Sequence, residues 1–383
     1  MKDIKYVFIK MWNLTNSFVY MFLKFFKTKN KITFISRQTN NESIDFNLII
    51  KELKKQDKTI EIVVLNKKIE KSLISKIQYV FHMYRQMYNI ATSKVVIIDG
   101  YCIAISNLKH KKDLKVIQIW HALGSLKKFG YSILDKKEGN ERKMAKYMNM
   151  HKNYTYILTS SKNTMKYLKE AFNSSDEQIK VIPLPRVDFL KSDYYKEETI
   201  KKFYKYYPEI KREKLKILYA PTFRKRVKST FNDLINAVDY KKYDLIIKTH
   251  DDMEIIYTSN NRTFSKETNL TGMELLHIVD YVITDYSAIV FEAAVANKPV
   301  YFYNYDYKKY IKNRGFYIDY INEMPGLITD NIKDIMVEIE KNKFDYEKLN
   351  SFKDKYISNE YSNNTQALVD LINNRELIAN VKI

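Results

Sequence analysis

Short runs of apolar and β-branched residues alternate along the chain with longer stretches of helical periodicity. Runs such as KVVIID at residues 94–99 and YVITD at residues 281–285 have a continuous apolar centre, which is typical of strands buried on both faces of a parallel sheet. Strands that alternate with helices indicate α/β units. The predicted strands are Lys31–Ser36, Ile60–Leu65, Lys94–Asp99, Lys115–Trp120, Tyr154–Ser160, Ile179–Ile182, Leu215–Ala220, Asp244–Thr249, Tyr281–Thr284 and Pro299–Tyr303.

A charged, tyrosine-rich stretch at residues 191–214 has no strand signal and separates the predicted strands into two groups. We therefore predict two doubly wound, Rossmann-type α/β domains that face a central cleft, at residues 31–195 and 196–383. The C-terminal helices are expected to return toward the first domain. In such folds a ligand lies beyond the carboxyl ends of the strands.

The first 30 residues predict a basic amphipathic helix. Residues 1–31 carry seven Lys and one Asp, and the apolar positions recur at helical spacing. The longest charge-free stretch, Met11–Leu23, has 13 residues, whereas a spanning helix needs about 18–20. We expect this helix to lie on an anionic membrane surface, which would place the protein at the cytoplasmic face of the membrane. The alternative is a helix that packs on the protein's own core.

The charge balance narrows the class of partner. The 383 residues carry a formal net charge of +21, which suggests nucleic acid, an anionic membrane or a phosphate-rich substrate. A 45% apolar content with 14% aromatic residues argues against disorder, and the single cysteine, Cys102, excludes a disulfide scaffold. No nucleic-acid-binding module is recognisable, so nucleic acid is the weakest of the three alternatives.

Two segments place polar side chains directly after a predicted strand in the first and second halves of the chain. The loop at residues 118–130 brings together His121, Gly124 and Lys127, which suit proton transfer, close backbone approach and phosphate contact. The segment YAPTFR supplies the Thr222 hydroxyl and the Arg224 guanidinium. A turn with a hydrogen-bonded histidine and a proline-induced strand exit are the structural alternatives.

Two further segments in the second half follow the same pattern. Lys248 and His250 end another strand, although a polar loop would look the same. In the segment at residues 280–294 a strand is followed by Asp285-Tyr286-Ser287-Ala288 and then by a helical run. Such a turn can seat a pyrophosphate, and Glu292 can accept a hydrogen bond from a ribose hydroxyl. Ordinary helix capping is the alternative.

Several familiar signatures are missing from the sequence. It contains no P-loop, no G-x-G-x-x-G, no D-x-D and no zinc-ligand spacing. We therefore expect neither a metal ion nor a bound cofactor.

Taken together, the segments resemble the CDP-glycerol glycerophosphotransferase family of teichoic acid synthesis, over roughly residues 31–371. The similarity is specific because the family's motifs occur in the family's order. The matching segments are Phe34–Gln38, Trp120–Gly130, Tyr219–Arg224, Ile283–Ala294, Lys298-Pro299 and Arg314–Tyr317. The resemblance implies a GT-B-like fold, with an acceptor domain first and a CDP-donor domain second.

The resemblance also implies a reaction. A hydroxyl of a lipid-linked acceptor attacks the β-phosphate of CDP-glycerol or CDP-ribitol, and CMP leaves. His121 and His250 carry over as the catalytic pair. Gly124 and Lys127 carry over to the acceptor or phosphate loop, and the other candidates to the donor-phosphate site, namely Thr222, Arg224, Lys248, Asp285, Tyr286, Ser287, Ala288 and Glu292.

Two positions depart from the family pattern. Asp251 follows the second histidine where many members have proline, and Ala288 replaces a serine. A GT-B glycosyltransferase that uses a nucleotide sugar remains the alternative function, because a fold does not fix the donor.

Overall fold

The computed structural model describes residues 2–70, 72–208, 210, 212–222, 230–248, 263–265 and 270–379. The chain divides into two compact units. The first unit comprises Met1–Leu123, Lys128–Arg186 and Ser358–Ile383, and the second comprises Gly124–Lys127 and Val187–Ile357. The main division falls at Arg186, earlier than the predicted residue 195, because much of the charged stretch that follows forms a helix of the second unit.

The first unit is built on a six-stranded parallel sheet with the strand order β2-β1-β3-β4-β5-β6. The central strands are buried on both faces, as their continuous apolar runs predicted. The strands are β1 (Lys31–Ser36), β2 (Glu61–Asn66), β3 (Val95–Ile98), β4 (Lys115–Gln118), β5 (Tyr156–Thr159) and β6 (Ile179–Val181). The helices are α1 (Lys2–Leu23), α2 (Ile44–Gln56), α3 (Leu73–Thr92), α4 (Ile103–Asn107), α5 (Arg142–Tyr147), α6 (Met165–Phe172) and the C-terminal α16 (Asn364–Ile372). Short 3₁₀ helices occur at Gly130–Ile133, Lys162–Thr164 and Asp176–Gln178.

The second unit has its own six-stranded parallel sheet with the order β12-β11-β10-β7-β8-β9. This is the Rossmann order, in which the direction of winding reverses between β7 and β10. The strands are β7 (Leu215–Tyr219), β8 (Tyr243–Ile247), β9 (Thr263–Ser265), β10 (Tyr281–Thr284), β11 (Val300–Tyr303) and β12 (Ile328–Thr329). The helices are α7 (Arg186–Lys191), α8 (Asp193–Tyr206), α9 (Thr230–Ala237), α10 (Gly272–Leu275), α11 (Ile289–Val295), α12 (Tyr307–Asn313), α13 (Tyr320–Glu323), α14 (Ile332–Lys341) and α15 (Tyr346–Tyr356).

All ten predicted strands are present, and two parallel α/β sheets confirm the predicted fold class. The pattern missed β9 and β12, which have three and two residues and are too short to leave a hydrophobic signature. The pattern also predicted that β4 extends to Trp120, whereas the strand ends at Gln118. Trp120 adopts a φ of 61°, in the left-handed region, and this breaks the extended chain.

Each unit has a well-packed interior. In the second unit, one face of the sheet packs against α9 and α14 through a continuous apolar cluster that includes Ile217, Leu234, Leu245, Ile283 and Ile335. In the first unit, buried Asp45 accepts three hydrogen bonds from Arg186, one from its backbone N–H and two from its guanidinium, at 2.5–2.9 Å. Both guanidinium hydrogen bonds go to Asp45 Oδ2 and the backbone N–H bonds to Oδ1, and together they compensate for the burial of both charges.

Helix α1 packs on the first unit through polar side chains. The Tyr6 hydroxyl donates to Glu141, the Asn13 amide donates to the Tyr147 carbonyl oxygen, and the Tyr20 hydroxyl lies 2.8 Å from His110 Nδ1. The opposite face carries exposed apolar residues, among them Ile4, Val7, Phe8, Met11, Leu14, Phe18 and Phe22. Among the described residues, no helix combines the length and the hydropathy that a membrane crossing requires.

Candidate functional site

His121 lies at the carboxyl edge of the first sheet. It is three residues beyond Gln118, where β4 ends, and directly follows the left-handed residue Trp120. The Gln118 side chain is buried and bridges the turn: its Nε2 donates to the Gly100 carbonyl oxygen (3.0 Å), and its Oε1 accepts from the Trp120 N–H (2.9 Å). The Trp120 ring stacks on Phe129 with a centroid distance of 4.5 Å. These contacts hold the strained backbone that presents His121.

The His121 ring is exposed, and the main chain directly after β3 orients it. Its Nδ1 lies 3.0 Å from the carbonyl oxygen of Asp99. Because a carbonyl oxygen only accepts hydrogen bonds, this contact requires the proton on Nδ1, which makes Nε2 the basic nitrogen of the neutral ring. The geometry therefore suits His121 to take a proton through Nε2.

Asp99 is a functional candidate that the sequence reading missed. Its carboxylate is buried, and one oxygen accepts a 2.7 Å hydrogen bond from the Ser36 hydroxyl. Burial raises the pKa of Asp99 to about 6, although the Ser36 hydrogen bond acts in the opposite direction. Ser36 is the last residue of β1 and Asp99 directly follows β3. The winding of this sheet reverses between these two strands, and that position is the signal that could have identified both residues.

Gly124 and Lys127 belong to the second unit, although the residues on both sides of Gly124–Lys127 belong to the first. We call Gly124–Lys127 the inserted segment. The Leu126 carbonyl oxygen accepts from the Tyr317 N–H at 3.0 Å, and Lys127 forms an antiparallel bridge with Phe316. The segment is thus fixed by backbone contacts to the R-G-F-Y motif.

The carboxyl edge of the second sheet brings Thr222 and Asp285 together at the point where winding reverses. The Thr222 N–H donates to Asp285 Oδ1 at 2.8 Å, and the Tyr286 N–H donates to the same oxygen at 2.5 Å. Thr284 ties the two strand ends together, since its hydroxyl donates to the Ala220 carbonyl oxygen at 2.7 Å. Asp285 is fully buried, and its carboxylate holds the loop by accepting these two backbone hydrogen bonds.

Tyr286 is also fully buried, in a stack of aromatic rings. Its ring lies 4.0 Å from that of Tyr310, and its hydroxyl donates to Asp306 at 3.0 Å. Ser287 and Ala288, which directly precede α11, are partly exposed, whereas the side chain of Glu292 on α11 is buried in the second unit. Of the predicted site residues in this motif, Ser287 and Ala288 are thus the ones that solvent reaches.

Lys248 follows β8 at the same edge, where its N–H donates to the Tyr219 carbonyl oxygen at 2.9 Å and its side chain is partly exposed. Arg224 and His250, together with Asp251, lie outside the described residues. Within the described part of the chain, no group of three or more His, Cys, Asp or Glu side chains is placed to hold a metal ion.

Two Rossmann-type sheets, each with polar groups gathered at its carboxyl edge, define a fold of the GT-B-like class. Residues 17–374 match the family described as CDP-Glycerol:Poly(glycerophosphate) glycerophosphotransferase, and the chain belongs to that family.

Curated relatives and a solved structure agree with this assignment. The chain is 31% identical over 357 residues to a teichoic acid ribitol-phosphate primase of Bacillus spizizenii, an alignment that covers 90% of each chain. It is 33% identical over 306 residues to a teichoic acid glycerol-phosphate primase of Bacillus subtilis, covering 76% of this chain and 77% of the relative. The wall teichoic acid polymerase TagF superposes with a TM-score of 0.72 at 19% identity over 97% of both chains, which establishes the fold.

Proposed function

We propose that the protein transfers glycerol phosphate or ribitol phosphate from a CDP-alditol to a hydroxyl of a lipid-linked acceptor, releasing CMP, in the synthesis of teichoic acid or a related surface phosphopolymer. Membership of the glycerophosphotransferase family carries this proposal. The relatives include both ribitol-phosphate and glycerol-phosphate primases, so the two donors are tested side by side.

His121 is the proposed base. Its Nδ1 is held by the Asp99 carbonyl oxygen, so Nε2 can accept the proton of the acceptor hydroxyl as that hydroxyl attacks the β-phosphate. A positioned base contributes about 10²–10⁴-fold to a proton-transfer step. His250 is the proposed second histidine of the pair, on the family resemblance alone.

The second unit is the proposed donor site. The partly exposed residues Ser287 and Ala288, together with Thr222 and the cationic side chains of Lys248 and Arg224, would surround the pyrophosphate, with Lys127 supplying charge from the inserted segment. Phosphoryl transfer requires positioning and charge neutralisation more than covalent catalysis. We propose that these side chains supply the charge without a metal ion or cofactor.

The experiment compares donors on one acceptor. Purified full-length protein is incubated with a lipid-linked disaccharide acceptor and either CDP-glycerol, CDP-ribitol or a UDP-sugar, and released nucleotide is separated by chromatography. We expect CMP from one or both CDP-alditols and no UDP. Release of UDP without CMP would instead support the nucleotide-sugar transferase, and no release from any donor would refute the proposed function.

We further propose that α1 docks the protein on an anionic membrane surface at the cytoplasmic face. Phe8 and Phe18 are 66% and 62% exposed on the outer face of the helix, whereas the hydrogen-bonding side chains face the protein. A helix that packed on the protein's own core would instead have its apolar face covered by the protein. Exposed Lys5 and Lys10 on the same helix would favour anionic lipid.

Helix α3 packs beside α1 and widens the apolar surface. Its first half exposes Leu73, Ile74, Ile77 and Phe81. Just beyond the end of α1, the Phe26 ring meets the Tyr88 ring of α3 edge-on, with a centroid distance of 5.6 Å. Large apolar side chains exposed on two neighbouring helices are typical of an interaction surface. Two helices, both in the first unit, would thus share the contact with the lipid.

Vesicle flotation tests the membrane contact. Double substitution Phe8→Ser and Phe18→Ser should lower binding to phosphatidylglycerol vesicles by at least about tenfold, since each buried phenylalanine contributes roughly 1.5–3 kcal/mol. Val337→Ser, at an exposed apolar position in the second unit, is the matched control. Equal flotation of the double variant and the unsubstituted protein would contradict the proposal.

A further inference from the structure

Gly124 lacks room for a side chain, and the obstacle is another residue of the protein. A Cβ at position 124 would lie 2.5 Å from the Cε1, Cε2 and Cζ atoms of Phe291. Carbon atoms that are not bonded do not approach this closely, since their optimal separation is about 3.5–4.0 Å. The backbone of Gly124 is not in the left-handed region, so packing is the reason that glycine is needed here.

Phe291 has little freedom to move aside. It is fully buried in α11, stacks on Phe352 at 5.3 Å and meets Tyr356 edge-on at 5.7 Å. Close-packed interiors relax only partially around a new group. A methyl group at position 124 would therefore displace the inserted segment more readily than it would displace the ring.

The inserted segment leads directly to the proposed base. Only Ala122 and Leu123 separate His121 from Gly124. Leu123 is anchored within the first unit, since its carbonyl oxygen accepts from the Ser160 hydroxyl, whereas Gly124 is anchored within the second by Phe291. α11 is also the helix that follows the proposed donor loop at Ser287.

From these contacts we infer that Gly124 is a positioning residue: its packing on Phe291 seats the inserted segment on α11, and a displaced segment would strain the two-residue connection to His121. This inference deepens the proposed function and rests on it. The Phe291 ring fills the space in which a Cβ of residue 124 would lie, and the expectation that Gly124 lets the backbone approach a ligand stays a prediction beside this one.

The test is a double-mutant cycle. Gly124→Ala should lower kcat for CMP release by about tenfold or more while leaving KM for the donor within about threefold, because small misplacements of reacting groups cost rate. Phe291→Leu removes the obstructing ring, so the double variant should regain at least about threefold over Gly124→Ala. Gly272→Ala is the matched control, since a Cβ there meets nothing closer than 3.5 Å.

A second measurement does not depend on activity. Trp12 and Trp120 are the two tryptophans of the chain, so in a Trp12→Phe background the emission of Trp120 reports on the loop that carries His121. Gly124→Ala should shift this emission, and adding Phe291→Leu should reverse the shift. If the unsubstituted protein releases no CMP, the proposed function fails, whereas the emission cycle still decides the role of Gly124.

Either of two results would overturn the inference. One is a folded Gly124→Ala variant with unchanged kcat and unchanged Trp120 emission. The other is a loss that Phe291→Leu does not relieve, with the effects of the two substitutions simply adding. A purely structural glycine would lower the unfolding temperature without separating kcat from KM.

Discussion

Replacing Asp99 with asparagine should change how the stability of the first unit depends on pH. Asp99 is 5% exposed, and burial raises its pKa from an ordinary value of 3.8 to about 6. The folded protein therefore binds a proton more tightly than the unfolded chain does. Stability from this group is fully present below pH 3.8 and is lost as the pH rises through about 6.

The size of the effect follows from the two pKa values. Their difference corresponds to about 3 kcal/mol, since each pKa unit is worth about 1.4 kcal/mol. At pH 5 about 1.4 kcal/mol of that remains, and at pH 8 almost none. Asparagine does not titrate, and its side-chain oxygen can still accept the hydrogen bond from Ser36. The Asp99→Asn variant should therefore lose this part of the pH dependence and keep the rest.

Tryptophan fluorescence during urea unfolding suits this measurement, because Trp12 and Trp120 both lie in the first unit with Asp99. Between pH 8 and pH 5 the unsubstituted protein should gain about 1.4 kcal/mol relative to Asp99→Asn. Asp113→Asn, which removes an exposed carboxyl from the same unit, is the control. A constant difference between the unsubstituted protein and Asp99→Asn across this pH range would refute the reasoning.

Three further predictions concern the base, the buried ion pair and the source of charge. His121→Gln, which cannot take up a proton, should lower CMP release by at least about 10²-fold while the donor still raises the unfolding temperature; near-normal turnover would remove the assigned role. Asp45→Ala leaves the buried Arg186 guanidinium without its carboxylate, and urea unfolding should show a loss of about 3–5 kcal/mol in the first unit. A loss under 1 kcal/mol would show that water replaces the carboxylate. CMP release should persist in excess EDTA, and its abolition with rescue by added Mg²⁺ would contradict the proposed supply of charge by side chains.

The strands were predictable because parallel sheets require apolar residues on both faces, and the resulting runs are read directly from the sequence. The clustering of Thr222 and Asp285 was predictable for a related reason, since the carboxyl ends of parallel strands meet at one edge. What local patterns could not reveal was the role of each side chain there. In sequence, Asp285 and Tyr286 are typical of a turn before a helix that can seat a pyrophosphate, yet both are fully buried.

The inserted segment was beyond local reasoning because its partners are distant in sequence. Residues 118–130 read as one loop, whereas the structure assigns Gly124–Lys127 to a different unit from His121. Phe291 and Phe316, which fix this segment, follow it by well over a hundred residues. Helix α1 posed a similar limit, because helical periodicity identifies two faces but does not tell which one the protein covers.

Three tyrosines of the second unit hold the loop that contains Asp285. The Tyr286, Tyr310 and Tyr320 rings pack with Phe316 into a continuous stack beyond β10 and β11. Phenylalanine would fill the same volume, but the Tyr320 hydroxyl also donates to the Asp285 carbonyl oxygen at 3.1 Å. A buried backbone carbonyl without a donor is costly, so an aromatic ring with a polar tip both fills the core and satisfies the loop. In this region the stacked aromatic side chains hold a buried, irregular backbone in one conformation next to Ser287, where the proposed pyrophosphate would bind.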